Sequence, residues 1–180
     1  MFASYLLALP LLSSLALASP TPQVMKRHDG AGSQIRSVSN PNLCVTVQGG
    51  AASHGVRLGM TGCWPDWETF VDLQIWSVIG PQRGRIDLVE HTNLCIDGEG
   101  VQNGDEPKSE ECNQDYSQTW DVEKLDNGYY RFKIDGQCLD VEKDSTPSYQ
   151  KPYISDKDLQ MWECHDASHP DAAQQYFELA

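Results

Sequence analysis

The chain has 180 residues and a formal net charge of −13, with 13 Lys and Arg against 26 Asp and Glu. Nucleic-acid-binding proteins gain much of their affinity from basic side chains that neutralise phosphates, so this charge argues against a nucleic-acid partner. The length fits one domain and leaves no room for a large catalytic domain beside a separate binding module. We therefore expect a single acidic domain.

The first 18 residues are typical of a secretory signal peptide. An apolar run over residues 6–18 ends in the small-x-small pattern Ala16-Leu17-Ala18, after which signal peptidases cut. A membrane anchor is the alternative, but Pro10 interrupts the run, which is shorter than the roughly 20 apolar residues that a spanning helix needs. The sequence predicts an extracellular protein that does not insert into a membrane.

A short propeptide is predicted between the signal peptide and the domain. Residues 19–27 are rich in proline and end in Lys26-Arg27, which resembles the dibasic site of kexin-type processing proteases. We expect the mature protein to begin at His28, so that residues 28–180 form the single domain.

Six cysteines lie in the mature part of the chain, and an even number in a secreted protein favours disulfides. Pairing six cysteines allows fifteen connectivities, and their number does not choose among them. Cys164, His165 and His169 lie close together in the sequence, so a zinc site is an alternative there. The spacing fits none of the usual zinc motifs, and we predict neither a metal nor another cofactor.

An internal repeat organises the mature chain into three units, at about residues 35–79, 85–123 and 129–179. Each unit contains a cysteine within a short apolar strand, a second cysteine, and then a Gln-x-aromatic motif. The motifs are Gln74-Ile75-Trp76, Gln118-Thr119-Trp120 and Gln175-Tyr176-Phe177. Alternating apolar and polar residues between Gly, Asn and Asp turns predict about four short strands in each unit.

Three Gln-x-aromatic motifs in register with three cysteine pairs resemble the ricin B-chain type lectin domain. The resemblance implies an all-β fold, the β-trefoil, with three four-stranded lobes around a pseudo-threefold axis. It also implies disulfides within each lobe, namely Cys44–Cys63, Cys95–Cys112 and Cys138–Cys164. The cysteines of the third unit are 26 residues apart, against 19 and 17 in the others, which predicts about seven extra residues near 145–156.

The Gln-x-aromatic motifs are interpreted as structural. The aromatic ring is expected to fill the core of its lobe, where an aromatic side chain buries roughly 150–250 Å². The glutamine is expected to satisfy buried backbone groups that irregular turns leave unpaired. Phe177 stands where the family has tryptophan, a change that conserves a large apolar ring. The motifs therefore predict the fold rather than the ligand.

In the resembled lectins the sugar contacts are a carboxylate two residues after the first cysteine, an aromatic near the second, and an amide just before the motif glutamine. The third unit matches best, with Asp140, Trp162 and Gln174. Ionised acceptors make strong hydrogen bonds with hydroxyls, and an aromatic ring can cover the C–H face of a sugar. If Leu159 and Met161 face the core, Trp162 faces outward. We expect sugar binding here.

The other two units match poorly. The second has Asp97 but carries Glu110 in place of the aromatic and Ser117 in place of the amide. Asp97 precedes Gly98, so capping its own turn is the alternative role of its side chain. The first unit has Thr46, Thr61 and Leu73 at the three positions, and we expect no sugar site there.

The predicted function is binding of glycans or glycoproteins, with galactose or N-acetylgalactosamine as the sugar that the resemblance suggests. No Gly-x-Ser-x-Gly or His-Glu-x-x-His motif occurs, and no pair of carboxylates is placed by a glycosidase motif, so an enzyme is not expected. The alternative is a secreted β-trefoil protease inhibitor or interaction module acting through residues 145–156. The sequence leaves the oligomeric state open.

Overall fold

The computed structural model describes residues 32–180, and the predicted signal peptide and propeptide lie outside this range. The described residues form fifteen strands in three consecutive lobes. The first lobe contains β1 (Ile35–Ser37), β2 (Leu43–Val47), β3 (Val56–Gly62) and β4 (Trp76–Val78). The second contains β5 (Arg83–Gly84), β6 (Ile86–Leu88), β7 (His91–Asp97), β8 (Lys108–Glu111) and β9 (Trp120–Lys124). The third contains β10 (Tyr130–Ile134), β11 (Gln137–Val141), β12 (Ser148–Gln150), β13 (Tyr153–Ser155), β14 (Lys157–Glu163) and β15 (Phe177–Leu179).

Strand pairing gives the predicted β-trefoil. The last strand of each lobe pairs antiparallel with the first full strand of the next, as β4–β6, β9–β10 and β15–β1. These pairs close a barrel, since β15 returns to β1 with Ile35 opposite Leu179. The two middle strands of each lobe form hairpins, β2–β3, β7–β8 and β11–β14. Twelve strands therefore make the trefoil, as the sequence predicts.

Three further strands were not predicted. The two-residue β5 adds to the edge of β9. The strands β12 and β13 form a hairpin of their own, with Tyr149 opposite Ile154. This third-lobe hairpin contains the extra residues that the cysteine spacing predicts near 145–156. Short 3₁₀ turns occur at Gln48–Gly50, Val71–Leu73, Tyr116–Gln118 and Ala172–Gln175. Within residues 32–180, no helix has the length and apolar character required to span a bilayer.

The core lies on the pseudo-threefold axis and takes equivalent side chains from each lobe. Trp76, Trp120 and Phe177 are completely buried, as are many of the aliphatic residues that alternate along the strands. The ring of Phe177 packs against that of Phe132 with centroids 5.5 Å apart. The aromatic residues of the three motifs therefore fill the core, as predicted from their spacing.

The three disulfides are those that the resemblance implies. Each disulfide joins the first strand of a lobe's middle hairpin to the residue directly after the second strand of that hairpin. The pairs are Cys44–Cys63, Cys95–Cys112 and Cys138–Cys164. The Cα–Cα distance is 5.0 Å in all three, within the normal range for a disulfide. By the chain-entropy model, closing loops of this size stabilises the fold by about 3 kcal/mol each.

Candidate functional site

The three motif glutamines make the same hydrogen bonds in every lobe. Each is completely buried, its Nε2 donates to a backbone carbonyl at 3.0 Å, and its Oε1 accepts from a backbone N–H at 2.8–2.9 Å. The carbonyls belong to Gly62, Glu111 and Glu163, and the N–H groups to Trp64, Asn113 and His165. The glutamines thus satisfy backbone groups next to the second cysteine of each lobe, as expected.

Two of the motif aromatics also donate a hydrogen bond. Nε1 of Trp76 donates to the carbonyl of Val45 at 3.0 Å, and Nε1 of Trp120 donates to that of Ile96 at 2.9 Å. Each acceptor is the residue after the first cysteine of its lobe. Phe177 has no ring N–H, so the third lobe keeps only the packing part of this arrangement.

The third lobe brings the three predicted site residues to one pocket. Asp140 lies on β11, Trp162 on β14 and Gln174 in the 3₁₀ turn before β15, and all three line a cavity of about 400 Å³. We call this cavity the third-lobe pocket. Leu159 and Met161 are completely buried, so the alternation along β14 turns Trp162 away from the core, as predicted.

Asp140 is a buried carboxylate at the wall of this pocket. It is only 2% exposed, and Nε2 of Gln160 donates to its Oδ1 at 2.9 Å. Burial raises the pKa of Asp140, and hydrogen bonds from Gln160 and Gln175 oppose part of that rise. Burying a carboxylate costs stability unless hydrogen bonds compensate for the lost hydration, and Gln160 supplies one such bond.

Several residues of the third-lobe pocket were not predicted. Gln160 lies opposite Asp140 in the β11–β14 register, a position that a hairpin alignment of the sequence could have identified. Lys143 Nζ bonds Asp171 Oδ1 at 2.7 Å, and Gln174 Nε2 reaches the same oxygen at 3.3 Å. The shared oxygen fixes the amide of Gln174 at the pocket rim.

Two histidines also line this pocket. The rings of His165 and His169 stack with centroids 3.7 Å apart and planes 12° apart. Cys164, the third member of the alternative zinc site, is bonded to Cys138, so its thiolate is not available to a metal. Within residues 32–180, the one grouping with metal-ligand geometry is Asp87 with Cys95 and Cys112, and those cysteines form a disulfide as well.

In the second lobe, Asp97 caps its own turn and also lines a pocket. Its Oδ1 accepts from the backbone N–H of Glu99 at 2.6 Å, and its Oδ2 accepts from Nε2 of Gln118 at 3.0 Å. The pocket measures about 510 Å³ and includes Glu110 and Ser117. His54 also lines it, but no Trp, Tyr or Phe is among the described residues of its lining. Asp97 thus caps its own turn, which is the alternative role of its side chain, and its role in sugar binding stays a prediction.

The first lobe replaces the carboxylate with hydroxyl groups. Thr46 and Thr61 are buried with their Oγ1 atoms 2.7 Å apart, and Nε2 of Gln74 lies 2.8 Å from each. The hydroxyls and the glutamine therefore satisfy one another.

The third-lobe hairpin packs on the first lobe. Its Tyr153 contacts the rings of Trp64 and Phe70 at centroid distances of 4.8 and 5.3 Å. The hydroxyl of Tyr153 donates to the carbonyl of Val47 and accepts from the N–H of Gly50. Burial raises the pKa of this phenol to about 12. Tyr153 therefore ties the first and third lobes together instead of reaching the third-lobe pocket.

A comparison with protein families decides the assignment. Residues 31–169 match the ricin-type beta-trefoil lectin domain, a range that includes the three cysteine pairs. The chain belongs to this lectin family. Members of the family bind carbohydrates and are generally not enzymes. A search of curated proteins found no match.

Solved structures support the fold of this ricin-type domain. The designed threefold-symmetric protein ThreeFoil superposes with a TM-score of 0.64 at 17% identity, covering 83% of this chain and 97% of its own. The C-terminal half of an earthworm R-type lectin, in complex with GalNAc, superposes with a TM-score of 0.59 at 15% identity. The match covers 83% of this chain and 97% of the earthworm chain. An exo-β-1,3-galactanase from Clostridium thermocellum superposes with a TM-score of 0.63 at 18% identity, covering 84% of this chain and 30% of the enzyme.

Proposed function

We propose that this ricin-type domain is a secreted lectin that binds a galactose- or N-acetylgalactosamine-type sugar through the third-lobe pocket. The observation that carries the proposal is the placement of Asp140 beside Trp162 and Gln174 in the wall of one cavity. Membership of the lectin family supports carbohydrate binding in general, and the earthworm relative was solved with GalNAc bound.

The chemistry of the three groups suits a sugar. An ionised carboxylate accepts hydrogen bonds from two neighbouring hydroxyls, and such charge-assisted bonds are the stronger kind. Gln160 already holds the Asp140 carboxylate in one orientation, so less order is lost on binding. Trp162 offers its ring to the C–H face of the sugar, and the Gln174 amide adds a donor and an acceptor.

The other two lobes support a single main site. The second-lobe pocket keeps a carboxylate, Asp97, but has Glu110 in place of an aromatic. The first lobe has no carboxylate at the equivalent position, where Thr46 is buried. We propose that the third lobe supplies most of the affinity and that Asp97 contributes weakly.

Extracellular location remains a proposal that rests on the sequence. The pattern Ala16-Leu17-Ala18 and the pair Lys26-Arg27 are the observations that motivate it. Protein collected from the culture medium of the native source should begin at His28 when sequenced from its N-terminus. An N-terminus within residues 1–18 would contradict the proposed secretion.

A glycan array probed with the oxidised 28–180 fragment tests the lectin proposal. Binding should be restricted to glycans with accessible galactose or N-acetylgalactosamine and should be competed by the free sugar. The variant Asp97→Asn should retain most of the signal, whereas Asp140→Asn should lose it. If both variants keep the signal, the assignment to the third lobe is wrong. If the wild type gives no glycan signal, the lectin proposal itself is wrong.

The exposed face of the third-lobe hairpin favours a second candidate, a protein-interaction function. Tyr149 and Ile154 form a cross-strand pair that is 65% and 51% exposed. A large apolar pair on the surface is a common feature of interaction sites. Under this alternative, a Tyr149→Ser/Ile154→Ser variant would lose a protein partner, and free sugar would not compete with that partner.

A further inference from the structure

We propose that the third-lobe pocket discriminates by charge, taking neutral sugars and rejecting anionic ones that carry a carboxylate or a sulfate. This inference rests on the proposed lectin function and goes further by defining the class of sugar that the site accepts. It follows from acidic side chains around Asp140 that take no part in the proposed hydrogen bonds to the sugar.

Three carboxylates other than Asp140 and Asp171 line the third-lobe pocket: Glu142, Asp144 and Glu163. Within residues 32–180, none of the three forms an ion pair. Glu142 is partly exposed, and Asp144 and Glu163 are exposed. A ligand in this pocket therefore lies near three carboxylates that form no ion pair among the described residues.

The basic group in the lining does not offset these charges. Among the described residues that line the pocket, Lys143 is the one Lys or Arg, and its Nζ lies 2.7 Å from Oδ1 of Asp171. Any anionic ligand that contacts Lys143 must share its ammonium group with the carboxylate of Asp171. The pair therefore contributes no net positive charge to attract an anion.

The distribution of charge differs elsewhere on the molecule. A groove of about 560 Å³ is lined by three basic residues, Arg83, Arg131 and Lys133, and by two acidic ones, Asp121 and Asp135. Glu123 pairs with Arg131 and Lys133, and the third-lobe pocket has a larger excess of acidic over basic side chains in its lining. Unpaired charges of the same sign as a competing ligand are a common means of excluding it. The excess of carboxylates in the third-lobe pocket therefore fits a site that excludes acidic sugars.

The test compares neutral and anionic members of matched ligand pairs by titration calorimetry or competition. One pair is galacturonamide and galacturonate, which differ mainly in one charge, and the other is N-acetylgalactosamine and its 6-sulfate. In every pair whose neutral member binds, the anionic member should bind at least about tenfold more weakly at low salt. The difference should narrow at about 1 M salt, where the Debye length falls to about 3 Å.

A neutralised variant locates the effect. In Glu142→Gln/Asp144→Asn/Glu163→Gln, the anionic ligands should gain affinity, while the neutral ligands should bind as they do to the wild type. Retained binding of the neutral ligand also shows that the variant is folded. The control variant Asp66→Asn/Asp126→Asn/Glu178→Gln changes the net charge equally at exposed positions and should leave the discrimination unchanged.

The possible failures are distinguishable. Equal affinity of the wild type for a neutral sugar and its anionic partner would overturn charge discrimination and leave the lectin function intact. An equal effect of the two triple variants would overturn its assignment to this pocket. If neither neutral sugar binds the wild type, the proposed galactose-type function falls, and the inference falls with it.

Discussion

Nε2 of Gln118 donates a hydrogen bond to Oδ2 of Asp97 over 3.0 Å, although one residue belongs to the repeated core motif and the other to the pocket. The same Nε2 also donates to the carbonyl of Glu111 at 3.0 Å. In the third lobe, hydrogen bonding from Gln175 lowers the pKa of Asp140 against the effect of burial. The motif glutamine therefore positions the pocket carboxylate as well as the backbone, whereas the sequence predicted only the structural role.

Replacing Asp140 by asparagine should separate binding from stability. Losing a hydrogen bond to a charged group costs about 1.5–3 kcal/mol, so sugar affinity should fall roughly tenfold or more. The pKa of Asp140 is raised in the folded protein, which means that its charge opposes folding at neutral pH. Calorimetric melts at about pH 7 should show an unchanged or higher Tm. A markedly lower Tm would contradict this account of the carboxylate.

Sugar binding should weaken in acid because Asp140 is proposed to accept hydrogen bonds in its ionised form. As its pKa is raised, affinity should begin to fall at a pH above that expected for an ordinary aspartate. Acid should have the opposite effect on stability, because the contribution of Asp140 to the free energy of unfolding rises as the pH falls through the raised pKa. Sugar titrations of the wild type between about pH 4 and 7 test the first trend. Unfolding of the wild type and of Asp140→Asn over the same range tests the second, which the variant should lack.

Replacing Trp162 by alanine should abolish detectable sugar binding with little effect on folding. The residue is partly exposed on the outer face of β14, so the change removes a surface for the sugar rather than a part of the core. Trp162→Phe should restore part of the affinity because a smaller aromatic face remains. Trp67→Ala is the matched control, since Trp67 is 70% exposed in another lobe. This variant should bind sugar with the affinity of the wild type.

Replacing Gln175 by alanine should destabilise the protein strongly. The side chain is completely buried and pairs with the carbonyl of Glu163 and the N–H of His165. Each buried group left without a partner costs about 1–3 kcal/mol, so for the two groups urea unfolding should show a loss of roughly 2–6 kcal/mol in total. The exposed Gln114 provides a control, for which a change to alanine should stay within about 0.5 kcal/mol.

The contact of Tyr153 with the first lobe should stabilise the fold. Tyr153→Phe loses the hydrogen bond to Val47 and should cost about 1 kcal/mol, and Tyr153→Ala should cost more because it also leaves a cavity beside Trp64 and Phe70. Tyr149→Ala, on the exposed face of the same hairpin, should be nearly neutral. If Tyr153→Ala unfolds at the same urea concentration as the wild type, the hairpin does not contribute to stability.

The twelve trefoil strands were predicted from the repeat, and the three disulfides from the resemblance to the lectin domain that the repeat carries. Gln74, Gln118 and Gln175 recur in register, so each lobe repeats the information that defines the others. The third-lobe hairpin could be located through the wide spacing of Cys138 and Cys164, but its contact with the first lobe could not. Tyr153 and Val47 are 106 residues apart, and no repeated pattern links them.

The third-lobe pocket was predictable for the residues that follow the family pattern. Asp140, Trp162 and Gln174 hold fixed positions relative to the cysteines or the motif glutamine. Lys143 and Asp171 hold no such position, and their ion pair depends on how the loop after β11 meets the turn before β15. Their role in fixing Gln174 and neutralising one another could be found only from the structure.

The antiparallel pairing of β1 with β15 brings the two ends of the described chain side by side, with the N–H of Gln34 donating to the carbonyl of Ala180 at 2.8 Å. Neighbouring ends allow a domain to be inserted into a loop of a host protein without stretching either. They also allow circular permutation. A short linker between residues 180 and 32, with new ends opened at the exposed turn of Asp126 and Asn127, should give a permuted protein that keeps all three lobes and the third-lobe pocket.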